Sequence, residues 1–550
     1  MNDRLVQDDH PLTLRHVLER MRGIYGDAVA VTQDDGGRRR TTYAELGERV
    51  DRLSGALIEL GVGPGDRVAT FAWNSQEHLE LYLAVPCVGA VLHTVNIRLF
   101  EEDLEYIFNH AEDRVVFVDA TLAERLAPLA GRLKSVRRFV VIGGDGSELP
   151  GAIGYEDLVG AQPGDFSYPD LDDRTAAGLC YTSGTTGKPK GVVYSHRSQT
   201  LHALAQLATD SIGVSSRDRV LPVVPMFHAN AWGLVYSSGL TGADLLLPSR
   251  FTTADRLVPL LAEERATIAA AVPTVWLDVL AHLDEHGADL ASVRTVICGG
   301  AAVPLSLMQA FDERHGVRIL QAWGMTETGP LASLARPPRA VDGDADGEWR
   351  FRDTAGRLLP FVEARVVAED DTVLPWDGES DGELEVRGPW VAAGYLGVDA
   401  PEKFDDGWLR TGDIASIDER GYIRITDRAK DVIKSGGEWI SSVELEKELI
   451  AHPDVVEAAV IAMPDERWTE RPLACVVVRD GSECGPDALR EHLSGRVAKW
   501  WLPDEFAFID EVPKTGTGKF DKKVLRQRLA DGALEGRATA AATRDPSAAA

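Results

Sequence analysis

The chain has 550 residues, of which 44% are hydrophobic and 26% charged, and its formal net charge is −29 at pH 7. This length exceeds what one hydrophobic core supports, so we expect a soluble protein of two or more domains. The negative charge excludes nucleic acids and anionic membranes as bulk partners, because both would repel the protein. Any anionic ligand must therefore be bound by a local basic pocket.

The five cysteines lie far apart and form no CxxC pair. This pattern is typical of a reduced protein without a zinc site. The sequence has neither an apolar leader at residues 1–10 nor a run of 18 apolar residues. We therefore expect a cytoplasmic protein with no integral membrane segment.

Helix and strand patterns alternate along most of the chain, which is typical of an α/β fold. Thr42 and Glu45 form a capping box ahead of apolar residues at helical spacing, and Gly61 ends that helix. Strands are then predicted at 67–72, 114–118, 139–142, 176–180, 191–194, 220–224, 244–247 and 295–298.

The pattern changes after residue 364 to short strands separated by turns. These are predicted at 363–367, 382–386, 414–417 and 421–425. Beyond a charged segment at 426–431, a compact unit combines helices at 442–452 and 486–498 with strands near 456–463 and 472–478. From Asp531 the Ala-, Gly- and Arg-rich tail has little to bury and is predicted to be disordered.

The segment 181–191, Tyr-Thr-Ser-Gly-Thr-Thr-Gly-Lys-Pro-Lys-Gly, lies between two of these strands. Its glycines form an anion-binding nest, its hydroxyls donate to phosphate oxygens, and its lysines add positive charge. Because Lys190 is followed by Gly191, the segment lacks the Gly-Lys-Ser/Thr ending of the common P-loop. The segment therefore predicts ATP binding in a different fold, with a flexible surface loop as the alternative.

Three further motifs lie at 321–328, 408–428 and 513–519. The first presents Glu327, which by itself could be a solvated carboxylate in a helix cap. The second places Asp413 and Arg428 where they could hold ribose hydroxyls and phosphate, or form a surface ion pair. The third is a glycine-rich turn that presents Lys519, and alone it could be a solvated loop.

In this order, the four motifs resemble those of the adenylate-forming superfamily of acyl- and aryl-CoA synthetases, peptide-synthetase adenylation domains and luciferases. The resemblance covers residues 12–530. It is strongest to bacterial medium- and long-chain fatty acyl-CoA synthetases, through the segments 223–232, 271–276, 434–442 and 466–472.

The resemblance implies an α/β fold with a large N-terminal adenylate-forming domain at 1–427, built of layered α/β subdomains and a small β-barrel-like part. It also implies a hinge at 428–431 and a small mobile α+β C-terminal domain at 432–530. The segment 531–550 would be the disordered tail.

Carried over residue by residue, the resemblance implies most of the candidate site. Thr182 and Glu327 would support Mg²⁺, and Lys519 matches the lysine of the adenylation step. The residues implied to bind the nucleotide or the phosphopantetheine path are Ser183, Gly184, Thr185, Thr186, Gly187, Lys190, Gly300, Ala301, Gln321, Ala322, Thr326, Asp413, Arg428, Lys430, Lys434, Gly436, Gly437 and Trp439.

The residues implied to line the acid substrate are His228, Ala229, Trp232 and Gly300. His228 would orient the acyl carboxylate, although a histidine beside Phe227 could also be a core residue. Trp232 matches the indole that guards the fatty-acyl tunnel of the long-chain members, although it could also be plain packing.

The activity implied is that of an ATP-dependent acid:CoA ligase, which adenylates a medium- or long-chain fatty acid and transfers the acyl group to CoA. ATP, Mg²⁺, CoA and a small-molecule carboxylic acid would be the partners, with a homodimer left open. The alternatives are a ligase for an aryl or biosynthetic acid, an enzyme whose acceptor is a carrier protein, an amine or nitrite, and a luciferase-like oxygenase. A non-enzymatic binding protein is disfavoured because Glu327 and Lys519 are both present.

Overall fold

The computed structural model describes residues 7, 9–144, 148–182, 188–435, 438–465, 467–479, 481–482, 484–514, 520–534 and 537–539. The strands are β1 (Val29–Asp34), β2 (Gly37–Thr42), β3 (Arg67–Phe71), β4 (Val91–Thr94), β5 (Val115–Asp119), β6 (Arg138–Ile142), β7 (Ile153–Gly154), β8 (Ala176–Tyr181), β9 (Gly191–Ser195), β10 (Arg219–Pro222), β11 (Asp244–Leu247), β12 (Ile268–Ala271), β13 (Thr295–Gly299), β14 (Ile319–Gly324), β15 (Leu331–Leu334), β16 (Gly356–Leu358), β17 (Glu363–Val367), β18 (Gly382–Arg387), β19 (Phe404–Asp405), β20 (Trp408–Ile417), β21 (Tyr422–Arg428), β22 (Ile433–Ser435), β23 (Glu438–Ile440), β24 (Val455–Asp465), β25 (Thr469–Val478), β26 (Glu505–Phe508) and β27 (Arg537–Thr539).

Helices connect most of these strands. They are α1 (Arg15–Glu19), α2 (Tyr43–Glu59), α3 (Gln76–Cys87), α4 (Glu101–Ala111), α5 (Ala123–Leu126), α6 (Tyr155–Gly160), α7 (His196–Leu207), α8 (Leu234–Thr241), α9 (Ala254–Glu263), α10 (Pro273–His286), α11 (Leu305–His315), α12 (Ala345–Arg352), α13 (Ser442–Ile450), α14 (Pro486–Leu493) and α15 (Lys522–Ala530). Among the described residues, none of these helices is long and apolar enough to cross a membrane.

The chain divides into two compact units. The first comprises Met1–Gly300, Met308–Glu363 and Val386–Leu409, and the second comprises Ala301–Leu307, Ala364–Glu385 and Arg410–Ala550. The hinge predicted at 428–431 lies within the second unit, and its role stays a prediction.

The first unit is built on two groups of paired strands. One runs in the order β16-β15-β14-β13-β12-β10-β11-β1-β2 and the other in the order β7-β6-β5-β3-β4-β8-β9. The strands from β10 to β14 pair in parallel, and parallel strands require crossover connections that cover both sheet faces. All four residues of β12 are accordingly buried. The carboxyl ends of β13 and β14 therefore meet at one sheet edge, where ligands bind in such folds.

Local sequence signals explain the elements of this unit. The Thr42 side chain accepts the Glu45 backbone N–H, and the Glu45 carboxylate accepts the Thr42 N–H at 2.8 Å, so the predicted capping box is confirmed. The apolar stripe of α2, which includes Leu46, Val50 and Leu53, is fully buried. The strand predicted at 244–247 matches β11, and those at 67–72 and 139–142 match within one residue.

The second unit contains an open group of strands in the order β17-β18-β20-β21. The β-barrel-like part implied by the resemblance is therefore wrong for the residues described, because no pairing among them closes β17 onto β21. A barrel requires strands that tilt and stagger around a closed ring, and this group leaves its first and last strands unpaired with each other.

The C-terminal part of the second unit is a sheet in the order β23-β22-β25-β26-β27, to which β24 adds by pairing with β25. Apolar clusters cover it, one around Phe506 and one around Leu525. The helix predicted at 486–498 is too long, since α14 ends at Leu493. It ends there because Ser494 adopts extended backbone and Gly495 a positive φ of 82°.

Candidate active site

The glycine-rich segment connects two paired strands, as predicted. Strands β8 and β9 pair antiparallel. Thr182 N–H donates to the Lys190 carbonyl at 2.9 Å, and Lys190 N–H donates to the Thr182 hydroxyl oxygen at 3.1 Å. These two bonds close the base of the loop. Its tip, which carries the predicted ligands Ser183, Gly184, Thr185, Thr186 and Gly187, lies outside the described residues.

Aromatic rings hold the two lysines of this segment. Lys190 Nζ lies 5.0 Å from the centre of the Tyr395 ring, and Lys188 Nζ lies 4.7 Å from the centre of the Tyr106 ring. Cation–π contacts of this kind contribute about 0.5–1 kcal/mol at exposed sites. No described carboxylate pairs with either ammonium group, so both charges remain available to an anion.

Glu327 is a buried carboxylate and not a solvated one. It lies in a 3-10 turn, Thr326–Thr328, that follows β14, and only 5% of its surface is exposed. Tyr395 O–H donates to Glu327 Oε1 at 2.6 Å. Burial and the charge of Glu327 raise the pKa of Tyr395 above its ordinary value, so the phenol remains a donor. One ring therefore contacts the Lys190 cation and hydrogen-bonds the Glu327 anion.

The segment around Tyr395 also fastens the two loops through backbone bonds. Ala392 N–H donates to the Glu327 carbonyl at 2.7 Å, and Leu396 N–H donates to the Gly191 carbonyl at 2.8 Å. A Cβ at position 191 would lie 3.2 Å from Leu396 Cβ, so glycine permits this close approach. Segment 392–396 thus positions the end of the glycine-rich loop and the Glu327 turn together.

Tyr194 supports the same turn from β9. Its O–H donates to the Thr326 carbonyl at 2.6 Å. Sequence reasoning missed both Tyr194 and Tyr395, because a tyrosine in a strand or an irregular segment carries no local signal that it will reach a distant loop. The contact exists only once β9 and segment 392–396 are folded against the turn.

The predicted nucleotide residues at 300–322 lie at the ends of two parallel strands. Gln321 and Ala322 of β14 pair with Cys298 and Gly299 of β13, and Gly300 follows β13 with a φ of 84°. A Cβ on Gly299 would lie 2.5 Å from the Ala322 carbonyl oxygen, so the strands require glycine there. Gln321 is half-buried and donates to the Thr354 carbonyl at 2.9 Å, whereas Ala301 is exposed.

Asp413 and Arg428 are brought together in the second unit. They are cross-strand partners in β20 and β21, and Arg428 Nε lies 2.6 Å from Asp413 Oδ1. The Asp413 side chain is 2% exposed and that of Arg428 is 44% exposed. The Asp413 carboxylate is therefore buried and bound by a guanidinium that solvent can reach. The two residues do not form an ion pair in which both groups are exposed.

The remaining predicted residues of the second unit are spread along the segment after β21. Lys430 is exposed, and Lys434 Nζ forms an ion pair with Glu369 Oε1 at 3.0 Å. Trp439 lies in β23, but its side chain is outside the described residues, as are Gly436, Gly437 and Lys519. The roles of these residues stay predictions.

Two of the predicted acid-binding residues, Ala229 and Trp232, lie on a left-handed turn. Residues Ala229, Asn230, Ala231 and Trp232 have φ values of 44°, 55°, 49° and 56°, and Gly233 follows at 78°. His228, which precedes them, is half-buried and so is not a fully buried core histidine. Left-handed backbone costs an ordinary residue roughly 1–2 kcal/mol, so this turn is strained.

Side chains from neighbouring elements hold the strained turn. Gln206 of α7 donates to the Trp232 carbonyl at 2.6 Å. Asn230 is buried, and its Oδ1 accepts from Tyr82 O–H at 3.4 Å. His202 packs so close to Gly233 that a Cβ there would lie 2.5 Å from the ring. The turn is therefore determined by its surroundings and not by its own sequence.

Comparison with known proteins shows which family the sequence of this chain matches. Residues 18–396 match the AMP-binding enzyme family, and residues 444–519 match the AMP-binding enzyme C-terminal domain. The chain is 43% identical to a medium-chain-fatty-acid–CoA ligase of Ectopseudomonas oleovorans, covering 94% of this chain and 96% of that protein. It is 45% identical to a long-chain-fatty-acid–CoA ligase of Thermus thermophilus, with the same coverage.

A solved structure matches nearly the whole chain as well. The anthranilate CoA ligase AuaEII in complex with anthranoyl-AMP superposes with a TM-score of 0.86 at 27% identity, covering 95% of this chain and 99% of that chain.

The strain at the left-handed turn can be measured by glycine substitution. Ala231→Gly should leave the free energy of unfolding unchanged or raise it by up to about 1 kcal/mol, since the relieved strain exceeds the roughly 0.8 kcal/mol for the buried methyl. Ala203→Gly, equally buried but in regular α7, should lower it by about 1–2 kcal/mol. Chemical denaturation measures both, and equal losses would contradict the strain.

Proposed function

The chain belongs to the AMP-binding enzyme family, and we propose that it is an ATP-dependent acid:CoA ligase acting on a medium- or long-chain fatty acid. It forms acyl-AMP and pyrophosphate from the acid and ATP, and then transfers the acyl group to CoA. The fatty acid preference is supported by the two CoA ligases of 43% and 45% identity.

The arrangement of Lys190, Tyr395 and Glu327 is the observation that carries this proposal. An accessible ammonium lies over one ring whose hydroxyl binds a buried carboxylate. A polyanionic triphosphate needs a cation close to its oxygens, and a divalent metal needs an anionic oxygen ligand. This arrangement supplies both beside a loop of phosphate-binding composition.

The residues present fit Mg²⁺. Glu327 Oε1 is occupied by the Tyr395 hydroxyl, while no described residue donates to Oε2, which leaves an anionic oxygen for a hard cation. The Thr182 hydroxyl oxygen is a neutral oxygen donor at the base of the loop. Glu327 and Thr182 would therefore hold the ion, which supplies positive charge beside the phosphates when bound.

Adenylation joins the acid to the α-phosphorus of ATP. A carboxylate oxygen of the acid attacks the α-phosphorus, and the bond from that phosphorus to the bridging oxygen of pyrophosphate breaks. Lys190 stabilises charge on the phosphate oxygens, and Lys519 is assigned the same task at the α-phosphoryl group. His228 orients the attacking carboxylate, with Ala229 and Gly300 lining its path.

The nucleoside part of ATP is assigned to residues of β20 and β21 and to the ends of β13 and β14. Asp413, already fixed by Arg428, accepts the ribose hydroxyls, while the Arg428 guanidinium remains accessible to phosphate. The ends of β13 and β14, which carry Gly300, Gln321, Ala322 and Thr326, line the adenine and acyl-phosphate region, together with Ala301.

Thioester formation uses the same site. The CoA thiol sulfur attacks the carbonyl carbon of acyl-AMP, the bond from that carbon to the AMP oxygen breaks, and the thiol proton leaves to solvent or base. Rotation at 428–431, where Lys430 lies, exchanges Lys519 for the segment that contains Lys434, Gly436, Gly437 and Trp439. The two glycines let the pantetheine arm pass close to backbone.

The proposed activity is tested by two linked assays on the intact chain. ATP–pyrophosphate exchange is measured with short, medium, long and aryl acids, and thioester formation is then measured with CoA. We expect exchange and thioester formation to be fastest with medium- or long-chain acids. No exchange with any acid would overturn the adenylation proposal. Exchange without thioester would overturn CoA as acceptor, and exchange confined to aryl acids would overturn the fatty acid.

Tyr395→Phe tests the hydrogen bond to Glu327. The variant keeps the ring under Lys190 but removes a bond to a charged group worth about 1.5–3 kcal/mol. The kcat/KM for adenylation should fall roughly 10- to 100-fold, and more Mg²⁺ should be needed for half-maximal rate. The matched control is Tyr155→Phe, which removes a buried hydroxyl bonded to Glu80 at 2.5 Å and should leave the Mg²⁺ dependence unchanged. If the Mg²⁺ dependence of Tyr395→Phe equals that of the wild type, the Tyr395 hydroxyl does not support the metal site.

Trp232→Ala tests whether Trp232 acts as a gate, guarding the fatty-acyl tunnel as the matching indole does in the long-chain members. Because Trp232 is half-buried, its truncation should lower the melting temperature only slightly. If the indole guards the tunnel, the same truncation should change the chain-length profile of kcat/KM strongly. Trp276, which is 1% exposed, is the matched core residue, and Trp276→Ala should cost about 3–5 kcal/mol of stability without changing the profile. Trp232→Ala behaving like Trp276→Ala would rule out the gate.

A further inference from the structure

A buried ion cluster that the proposed mechanism does not use lies in the second unit. Lys522, the first residue of α15, places Nζ 2.7 Å from Glu446 Oε1 and 2.6 Å from Ser442 Oγ. The Lys522 and Glu446 side chains are only 10% and 13% exposed. Asp427, at the end of β21, is fully buried and accepts the Ser442 N–H at 2.6 Å.

The charges of this cluster depend on one another. Burial by itself would lower the pKa of Lys522, but the charges of Glu446, Asp427 and Asp431 outweigh it and raise that pKa, so the ammonium stays charged. Burial raises the pKa of Glu446 and of Asp427, and the charge of Lys522 opposes that rise. Removing one partner of such a group leaves a buried charge uncompensated, which is strongly unfavourable.

The cluster spans the predicted hinge. Asp427 and Thr426 precede segment 428–431, whereas Ser442, Glu446 and Lys522 follow it. The Ser441 hydroxyl donates to the Thr426 carbonyl, which adds to the Asp427 bond across the same segment. A rotation at 428–431 would therefore have to separate Asp427 from the Ser442 N–H and from the charge of Lys522.

The same lysine lies next to the described residues that flank segment 515–519, which contains Lys519. Lys514 and Phe520 form an antiparallel bridge on either side of residues 515–519. Asp521 N–H donates to the Pro513 carbonyl at 2.7 Å, and the Asp521 side chain caps α15 by accepting from Lys523 N–H at 3.1 Å. The described flanks of segment 515–519 are thus tied to the first turn of α15, which Lys522 anchors.

We infer that Lys522 is a positioning residue for adenylation: with Glu446 and Asp427 it fixes the start of α15, to which the described flanks of segment 515–519 are bonded, and so acts on the half-reaction assigned to Lys519. This inference rests on the proposed function. A small displacement of a catalytic group costs up to roughly 100-fold in rate, so a loose anchor three residues from Lys519 should affect the half-reaction in which Lys519 acts.

The test is Lys522→Met, which keeps an unbranched side chain, one atom shorter, and removes its charge. Single-turnover assays measure adenylation from acid and ATP, and thioester formation from preformed acyl-AMP and CoA. We expect the single-turnover rate constant for adenylation to fall roughly 10-fold or more, while its dependence on ATP concentration and the rate of thioester formation stay nearly unchanged. Lys523→Met, at the adjacent exposed position, is the matched control and should leave both half-reactions at the wild-type rate. Lys519→Ala serves as the reference for a selective loss.

A second variant keeps the inference testable if Lys522→Met does not fold. Asp427→Asn retains an acceptor for the Ser442 N–H but removes the charge that faces Lys522, and it should reduce adenylation in the same direction. The double variant should be no slower than the slower single variant, because both act through one cluster.

Equal losses in both half-reactions, or a loss confined to thioester formation, would overturn the inference. A wild-type chain that gives no pyrophosphate exchange with any acid would instead overturn the proposed function on which it rests. A lower melting temperature with unchanged half-reactions would mean that the cluster is structural only, and would also overturn it.

Discussion

The hydrogen bond from Tyr395 to Glu327 is the interaction on which the candidate site depends. A carboxylate that is 5% exposed needs a donor, because burying an uncompensated charge costs several kcal/mol. The phenol supplies that donor at 2.6 Å, and the backbone on either side of Tyr395 binds the Glu327 turn and Gly191. Satisfying one buried acid therefore also fixes the distance between the turn and the end of the glycine-rich loop.

The use of aromatic rings to hold lysines matters in a chain with a net charge of −29. A carboxylate partner would neutralise Lys190 before a phosphate arrived, whereas the Tyr395 ring holds the ammonium by a weak contact and leaves its charge unpaired. Arg410 has the opposite arrangement, since it bonds to both Glu385 and Asp371. In an acidic protein, a site for an anionic ligand thus depends on basic side chains that form no ion pair with a carboxylate.

Two features that cost folding free energy lie in the parts of the chain to which we assign motion or selectivity. The left-handed turn at 229–232 is strained backbone held by Gln206 of α7. The cluster of Lys522, Glu446 and Asp427 is buried charge beside the predicted hinge. Neither would persist without compensating neighbours, since strain and buried charge are stable only when the surroundings determine them. Each is therefore specific to one arrangement of the chain, which is what a gate or a positioning device requires.

The sequence by itself determined the local elements and the residue types of the site. Thr42 and Glu45 specified a helix start, apolar runs specified strands, and hydroxyls and glycines marked the loop at 181–191, because these signals act over a few residues. Glu327 and Asp413 became candidates only through the resemblance of their motifs to a known family. Only the tertiary structure decided that Tyr395 and Tyr194 reach the Glu327 turn, that Ala231 adopts left-handed backbone, and that strands 363–428 form an open group instead of a barrel. Those outcomes depend on contacts between residues far apart in the chain, where burial and hydrogen-bond satisfaction outweigh local preference.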